Sequence, residues 1–127
     1  MSQSDKNQIE VGVDTSYIEE QSDPAANRYV FTYTITISNT GTSPAKLLNR
    51  HWVITDADGK VQEVRGEGVV GEQPYLRPGE QYQYTSGTIM ETPVGAMEGE
   101  YEMLSDDGDS FFAPIARFAL SIPRTLH

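Results

Sequence analysis

The stretch from Tyr29 to Ser38 constrains this chain more than any other. Tyr29, Phe31, Tyr33, Ile35 and Ile37 fall on one parity, and Thr32, Thr34, Thr36 and Ser38 fall on the other. An extended chain sends successive side chains to opposite sides, so this pattern makes a strand with one buried face, whereas a helix would scatter the same residues around its axis. The β-branched and aromatic content favours the same conformation. The strand is expected to stop at Asn39-Thr40-Gly41-Thr42-Ser43-Pro44, where glycine permits positive φ and proline resists pairing within a sheet.

The rest of the chain repeats this logic. Ile9, Val11, Val13, Thr15 and Tyr17 alternate with mostly polar neighbours and predict an edge strand. Leu47 to Thr55 predicts another, with Leu48, Trp52 and Ile54 on one parity, His51 and Val53 on the other, and Trp52 in the core. Asp56-Ala57-Asp58-Gly59 has the chemistry of a tight turn, and Lys60 to Arg65 supplies the returning strand. Gly66 to Gly79 is rich in glycine and proline and predicts a long ordered loop, where function often sits. Three more strands follow, marked by Tyr82 and Tyr84, by Tyr101 and Met103, and by Phe112, Phe118, Leu120 and Ile122 on one parity. Asp106-Asp107-Gly108-Asp109 predicts a hairpin turn between the last two, and Pro114 predicts a bulge or an edge position in the final strand.

About seven strands without a 3.6-residue apolar period predict an all-β antiparallel β-sandwich, immunoglobulin/fibronectin type III-like, with a small barrel as the alternative. The 127 residues suit one domain spanning residues 1–127, with the first few residues expected to be disordered.

Charge narrows the partners. Nineteen acidic against nine basic residues give a net charge of −10, whose long-range field repels nucleic acid and anionic membranes, so neither is expected as a partner. The absence of cysteine removes disulfides, thiolate nucleophiles and thiolate zinc sites together. No apolar run approaches the length of a signal sequence or membrane span, and a cytoplasmic protein is the simplest expectation.

The strings RYVFTYTITISN (28–39), RHWVITDADG (50–59), GEGVVGEQPYLRPGE (66–80) and YTSG (84–87) resemble, in order, successive signatures of the ApaG family. Thr92-Pro93, the series Gly95, Met97, Gly99, Tyr101 and Met103, and the stretch from Phe118 to His127 continue the similarity. Ala116 departs from an Ile-Pro pair found in many members, which bears on local geometry in the last strand. The resemblance implies a fibronectin type III-like sandwich. It also implies a link to cobalt tolerance and magnesium efflux, and use as an attached module, since ApaG-like domains also occur beside an F-box region and in a polymerase-interacting protein.

Three kinds of site are conceivable. Gly66-Glu67-Gly68-Val69-Val70-Gly71 matches G-x-G-x-x-G, but Pro74 forestalls the helix that a Rossmann site needs. In a weaker form, the loop N–H groups make an anion nest for phosphate or pyrophosphate, with Arg65 and with Arg77 or Arg50 supplying charge. Glu67 and Glu72 oppose it, and the plainer reading is that Gly66, Gly68 and Gly71 serve a bulge and crossover.

Asp56 and Asp58, joined by Asp106, Asp107 and Asp109 if the two turns share one end of the sandwich, are candidates for a hard divalent cation. Ordinary turn chemistry explains them more simply. His51 and His127 are the only imidazoles, so a transition-metal site has few ligands, and no cofactor is expected.

Catalysis has no placed constellation. Ser86 lacks the setting of a nucleophile elbow, His51 sits in a strand, and Glu19 and Glu20 fall in a solvated loop. An enzyme is not expected. The leading expectation is a binding module for an unknown protein partner, with Val69, Val70, Tyr75 and Leu76 as candidate contacts and a homodimer as a further option.

Overall fold

The computed structural model describes residues 6–123. The expected disorder of the first few residues and the imidazole of His127 fall outside that range.

Eight strands form: β1 (Ile9–Tyr17), β2 (Tyr29–Asn39), β3 (Ala45–Asp56), β4 (Val61–Glu67), β5 (Tyr75–Leu76), β6 (Gln81–Met90), β7 (Val94–Ser105) and β8 (Ser110–Ser121). Two antiparallel sheets result, one ordered β1-β2-β6 and the other β4-β3-β7-β8, with β5 added to the start of β3. The strand content exceeds the expected seven by the two residues of β5, which lie inside the predicted loop.

The core sits where the alternation places it. Phe31, Tyr33, Ile35 and Ile37 of β2 meet Trp52, Ile54, Met97, Tyr101 and Met103 from the facing sheet. Trp52 is 2% exposed and lies edge-on to Tyr33, Tyr101 and Phe118 at ring separations of 5.4, 6.4 and 6.0 Å. Such edge-to-face contacts add to the area buried, since the positive ring edge meets a negative face.

Two bulges revise the predicted faces. Register slips between Leu47 and Asn49, so Leu47 is fully buried and Leu48, expected beside Trp52, is only half-buried. A second slip, opposite Met97 to Gly99, separates Phe112 from Phe118 and Leu120. Ala113 and Ile115 therefore point inward and Phe112 is 61% exposed, contrary to a single parity for β8. Pro114 lies in this edge strand, just before the bulge, as its missing N–H requires.

The two flanks of the sandwich differ. On one, β1 packs against β8; on the other, no comparable contact joins β6 to β4, and both strands end their sheets. No helix among the described residues is long and apolar enough to cross a membrane.

Candidate interaction site

The glycine loop is built from the bulge outward. Leu48, released from the β3–β7 ladder, accepts hydrogen bonds at its carbonyl from Gly68 N–H at 2.8 Å and from Gln73 Nε2 at 3.0 Å. Val69 and Glu72 exchange backbone bonds at 2.8 and 2.9 Å, closing a two-residue turn in which Val70 (φ 48°) and Gly71 (φ 80°) are both left-handed. The N–H groups of Gly68, Val69 and Glu72 are therefore engaged within the chain.

Each sequence-predicted residue can now be placed. Gly66 belongs to β4, opposite Arg50, and a Cβ there would stand 2.6–2.7 Å from the Arg50 guanidinium. At Gly68 a Cβ would meet the Glu72 carbonyl oxygen at 2.4 Å. The backbone requires glycine at Gly68, where φ is also 67°, whereas at Gly66 a Cβ would push aside the flexible end of Arg50. Arg65 reaches Glu63 at 3.9 Å and Arg77 reaches Glu80 at 4.0 Å, so neither arginine pairs with the turn. Val69 and Leu76 are core residues, whereas Val70 and Tyr75 are exposed, Tyr75 donating to the Asp106 carboxylate at 2.9 Å.

The aspartate turns lie apart. Asp56 pairs with Gly95 at one end of β3 and β7, and Ala45 with Ser105 at the other, so the Asp56 and Asp106 turns sit roughly 35 Å apart at the usual strand rise. Asp56 Oδ1 accepts from the N–H groups of Asp58 and Lys60, both at 2.9 Å, as turn chemistry demands. Among the described residues no three His, Asp or Glu side chains converge on a point where a metal could bind. Ser86 of β6 faces the space between the sheets and His51 of β3 faces outward on the other sheet, so the two form no nucleophile–base pair.

What the sequence did not reveal is the open flank. Between β6 and β4 lies a cleft of about 600 Å³. Trp52, Ile54 and Val64 form one wall, and the small Ser86, Gly87 and Thr88 form the other. The cleft continues round the β6 edge to Val30 and Ile89, the latter 54% exposed. Among the described residues Arg50 is the one charged side chain lining it. The bulge at Leu48 sets which of its neighbours share its inward face, placing Arg50 with Trp52 and Ile54 opposite Tyr101 and Gly66.

Arg50 Nη1 donates to the carbonyls of Glu67 (3.1 Å) and Gly68 (2.9 Å), which hold the guanidinium over Gly66. Arg65, Arg77 and Arg117 each lie within 4.0 Å of a glutamate, but no carboxylate among the described residues comes that close to Arg50. Beneath it the Tyr84 and Tyr101 hydroxyls share a hydrogen bond of 2.5 Å. Burial pushes the Tyr84 hydroxyl up to about 12 and that of Tyr101 higher still, and the Arg50 charge offsets this in small part.

On the outer face of the same sheet, Glu98, Glu100 and Glu102 project in a row from β7, with Arg117 on Glu98 at 2.9 Å and Asn49 on Glu102 at 2.6 Å. The exposed Phe112 and the half-buried His51 border a groove of about 610 Å³ there.

The three-plus-four strand order, with β4 on the sheet of β3, makes this an immunoglobulin/fibronectin type III-like sandwich. The chain belongs to the ApaG domain family, whose profile matches residues 19–105. It is 60% identical to Protein ApaG of Thiobacillus denitrificans over 127 residues, covering all of both chains, and 57% identical to that of Pseudomonas aeruginosa over 122 residues, or 96% of this chain and 97% of the other. Among solved structures, the ApaA protein of Bordetella pertussis superposes with a TM-score of 0.92 at 51% identity, over 94% of this chain and 98% of that one. An Archaeoglobus fulgidus protein, 9% identical with a TM-score of 0.55 over 93% of this chain and all of that one, shares the fold.

Proposed function

We propose that this chain is a non-catalytic binding module that recognises a protein partner. The observation that carries the reading is the open flank, where the free edges of β6 and β4 frame a cleft with an apolar wall. A free edge presents a row of unpaired N–H and C=O groups, and a protein leaves one beside apolar surface at the risk of aggregation. A partner that covers it gains backbone hydrogen bonds and apolar burial together.

The test is affinity capture from the native cell with the wild-type chain and with Ile89→Lys, which sets a charge on the exposed β6 edge without disturbing the core. The expected outcome is one or more proteins retained by the wild type and lost by the variant. If both capture the same set, or neither captures anything while pyrophosphate shifts the amide resonances of residues 65–73, the protein-binding reading fails in favour of an anion site at the glycine loop.

A further inference from the structure

The open flank also indicates what lies in it. Over its ten residues β6 (Gln81–Met90) carries no charged side chain and no proline, in a chain that is 22% charged. Edges exposed to solvent are normally blunted by charge, proline or bulges, and β6 has none of these, its pairing with β2 being regular throughout. The inner side of that edge is partly apolar, whereas its outer face carries Gln81, Gln83, Thr85 and Gly87 before Ile89. Trp52, Ile54 and Val64 line the cleft on its inner side, and Ile89 is the large apolar side chain that β6 presents on its outer face. A strand laid against β6 would therefore find apolar contacts for the inward set of its alternating side chains and, beside Ile89, for one position of the outward set.

Arg50 adds a sign. Its guanidinium lines the cleft, is fixed by two backbone carbonyls through Nη1 alone, and has no carboxylate within ion-pair distance among the described residues. Arg28 and Lys46 share that lack among the described residues, but neither lines the cleft. A guanidinium oriented by fixed acceptors and left with Nη2 and Nε available is pre-organised for a carboxylate.

Resting on the protein-binding reading, we infer that the occupant is an extended segment of another protein that adds to β6 as a fourth strand, seats apolar side chains in the cleft and places a carboxylate on Arg50. A second copy of this chain is the poorer fit. Two chains of charge −10 repel, and β6, the strand that would have to pair with itself, brings no carboxylate to Arg50.

The experiment uses the full chain and short soluble peptides of alternating valine and threonine, in matched forms carrying one glutamate, one lysine or a central proline. Binding is read by fluorescence anisotropy and by amide resonances. The glutamate peptide should shift amides of residues 81–90 and bind about tenfold more tightly than the lysine form, while the proline form should not bind. Arg50→Gln should abolish the preference for glutamate, and Arg50→Lys should restore part of it. Gly66→Ala, which displaces the guanidinium without removing it, gives an independent variant should Arg50→Gln fail to fold.

Peptides that leave the β6 amides unmoved, or that bind equally with glutamate and lysine, would overturn the inference. So would a concentration-dependent dimer that Ile89→Lys dissolves, since that makes the occupant a second copy. If the peptides fail while capture remains sensitive to Ile89→Lys, only the nature of the occupant is wrong. Capture insensitive to that substitution removes the protein-binding reading itself.

Discussion

The hydroxyls of Tyr84 and Tyr101 meet at 2.5 Å between the two sheets, each the other's hydrogen-bond partner. Tyr101 is fully buried and Tyr84 is 8% exposed, so water cannot readily replace either partner. We predict that Tyr84→Phe or Tyr101→Phe alone costs about 1–2 kcal/mol, because each strands one buried hydroxyl. The double substitution should cost clearly less than the sum of the two. Urea denaturation of all four proteins measures this, and strict additivity would show that the two groups do not depend on each other.

The same pair predicts an alkaline limit. Burial raises the Tyr84 hydroxyl from 10.0 to about 12, so the folded chain keeps a proton that the unfolded chain gives up first. The associated stability is complete below pH 10 and falls as pH rises towards 12, by about 3 kcal/mol for Tyr84, with Tyr101 acting in the same direction. Denaturation at stepped pH should show this decline, and Tyr84→Phe should flatten part of it. A flat profile across the window in the wild type contradicts the assignment.

Asn39 ties three segments together. Its Nδ2 donates to the carbonyls of Ser43 (3.0 Å) and Leu76 (2.9 Å), and its Oδ1 accepts from Gly41 N–H at 2.9 Å, at a site only 2% exposed. Asn39→Ala should cost about 2–4 kcal/mol, since it leaves buried backbone groups without partners. Asn39→Asp should also be destabilising, because the carboxylate can accept but not donate. A thermal midpoint unchanged by either substitution refutes this role.

Val70 sits at φ 48° in the turn between Val69 and Glu72, a conformation that a β-branched residue adopts only with strain. Such two-residue turns favour asparagine before glycine, and Gly71 is already in place. Val70→Asn should therefore stabilise the fold by about 1 kcal/mol, seen as a higher thermal midpoint. Val70 is 63% exposed, so the exchange loses little packing. A lower midpoint would mean that the valine side chain holds the loop in a way its exposure does not suggest.

The sandwich and the family were legible in the sequence, because a two-residue period and turn chemistry are local properties. Tyr29 to Ser38 declared its buried face, Trp52 its place in the core, and Asp106 to Asp109 its turn, and β2, β3 and the β7–β8 hairpin follow that reading. The glycine loop was harder to read. The glycines of residues 66–71 matched an anion motif in spacing, yet Gly66 makes room for a guanidinium and Gly68 for a carbonyl. No spacing rule distinguishes a glycine that admits a phosphate from one that admits the protein's own side chain.

By itself, then, the sequence determined which segments are strands, where most of them turn and which residues are apolar enough to bury. The tertiary structure decided the faces and the edges. Strict alternation groups Leu48 with Trp52, but the slip at Leu48 puts Leu47 in the core instead and sets Leu48 aside to anchor the glycine loop. It likewise moves Phe112 to the surface through the bulge in β8. Only the pairing order reveals that β6 and β4 end their sheets on the same flank. The physical reason is that period and propensity act between neighbours in the chain, whereas a bulge or an unpaired edge is settled by contacts between strands far apart in sequence.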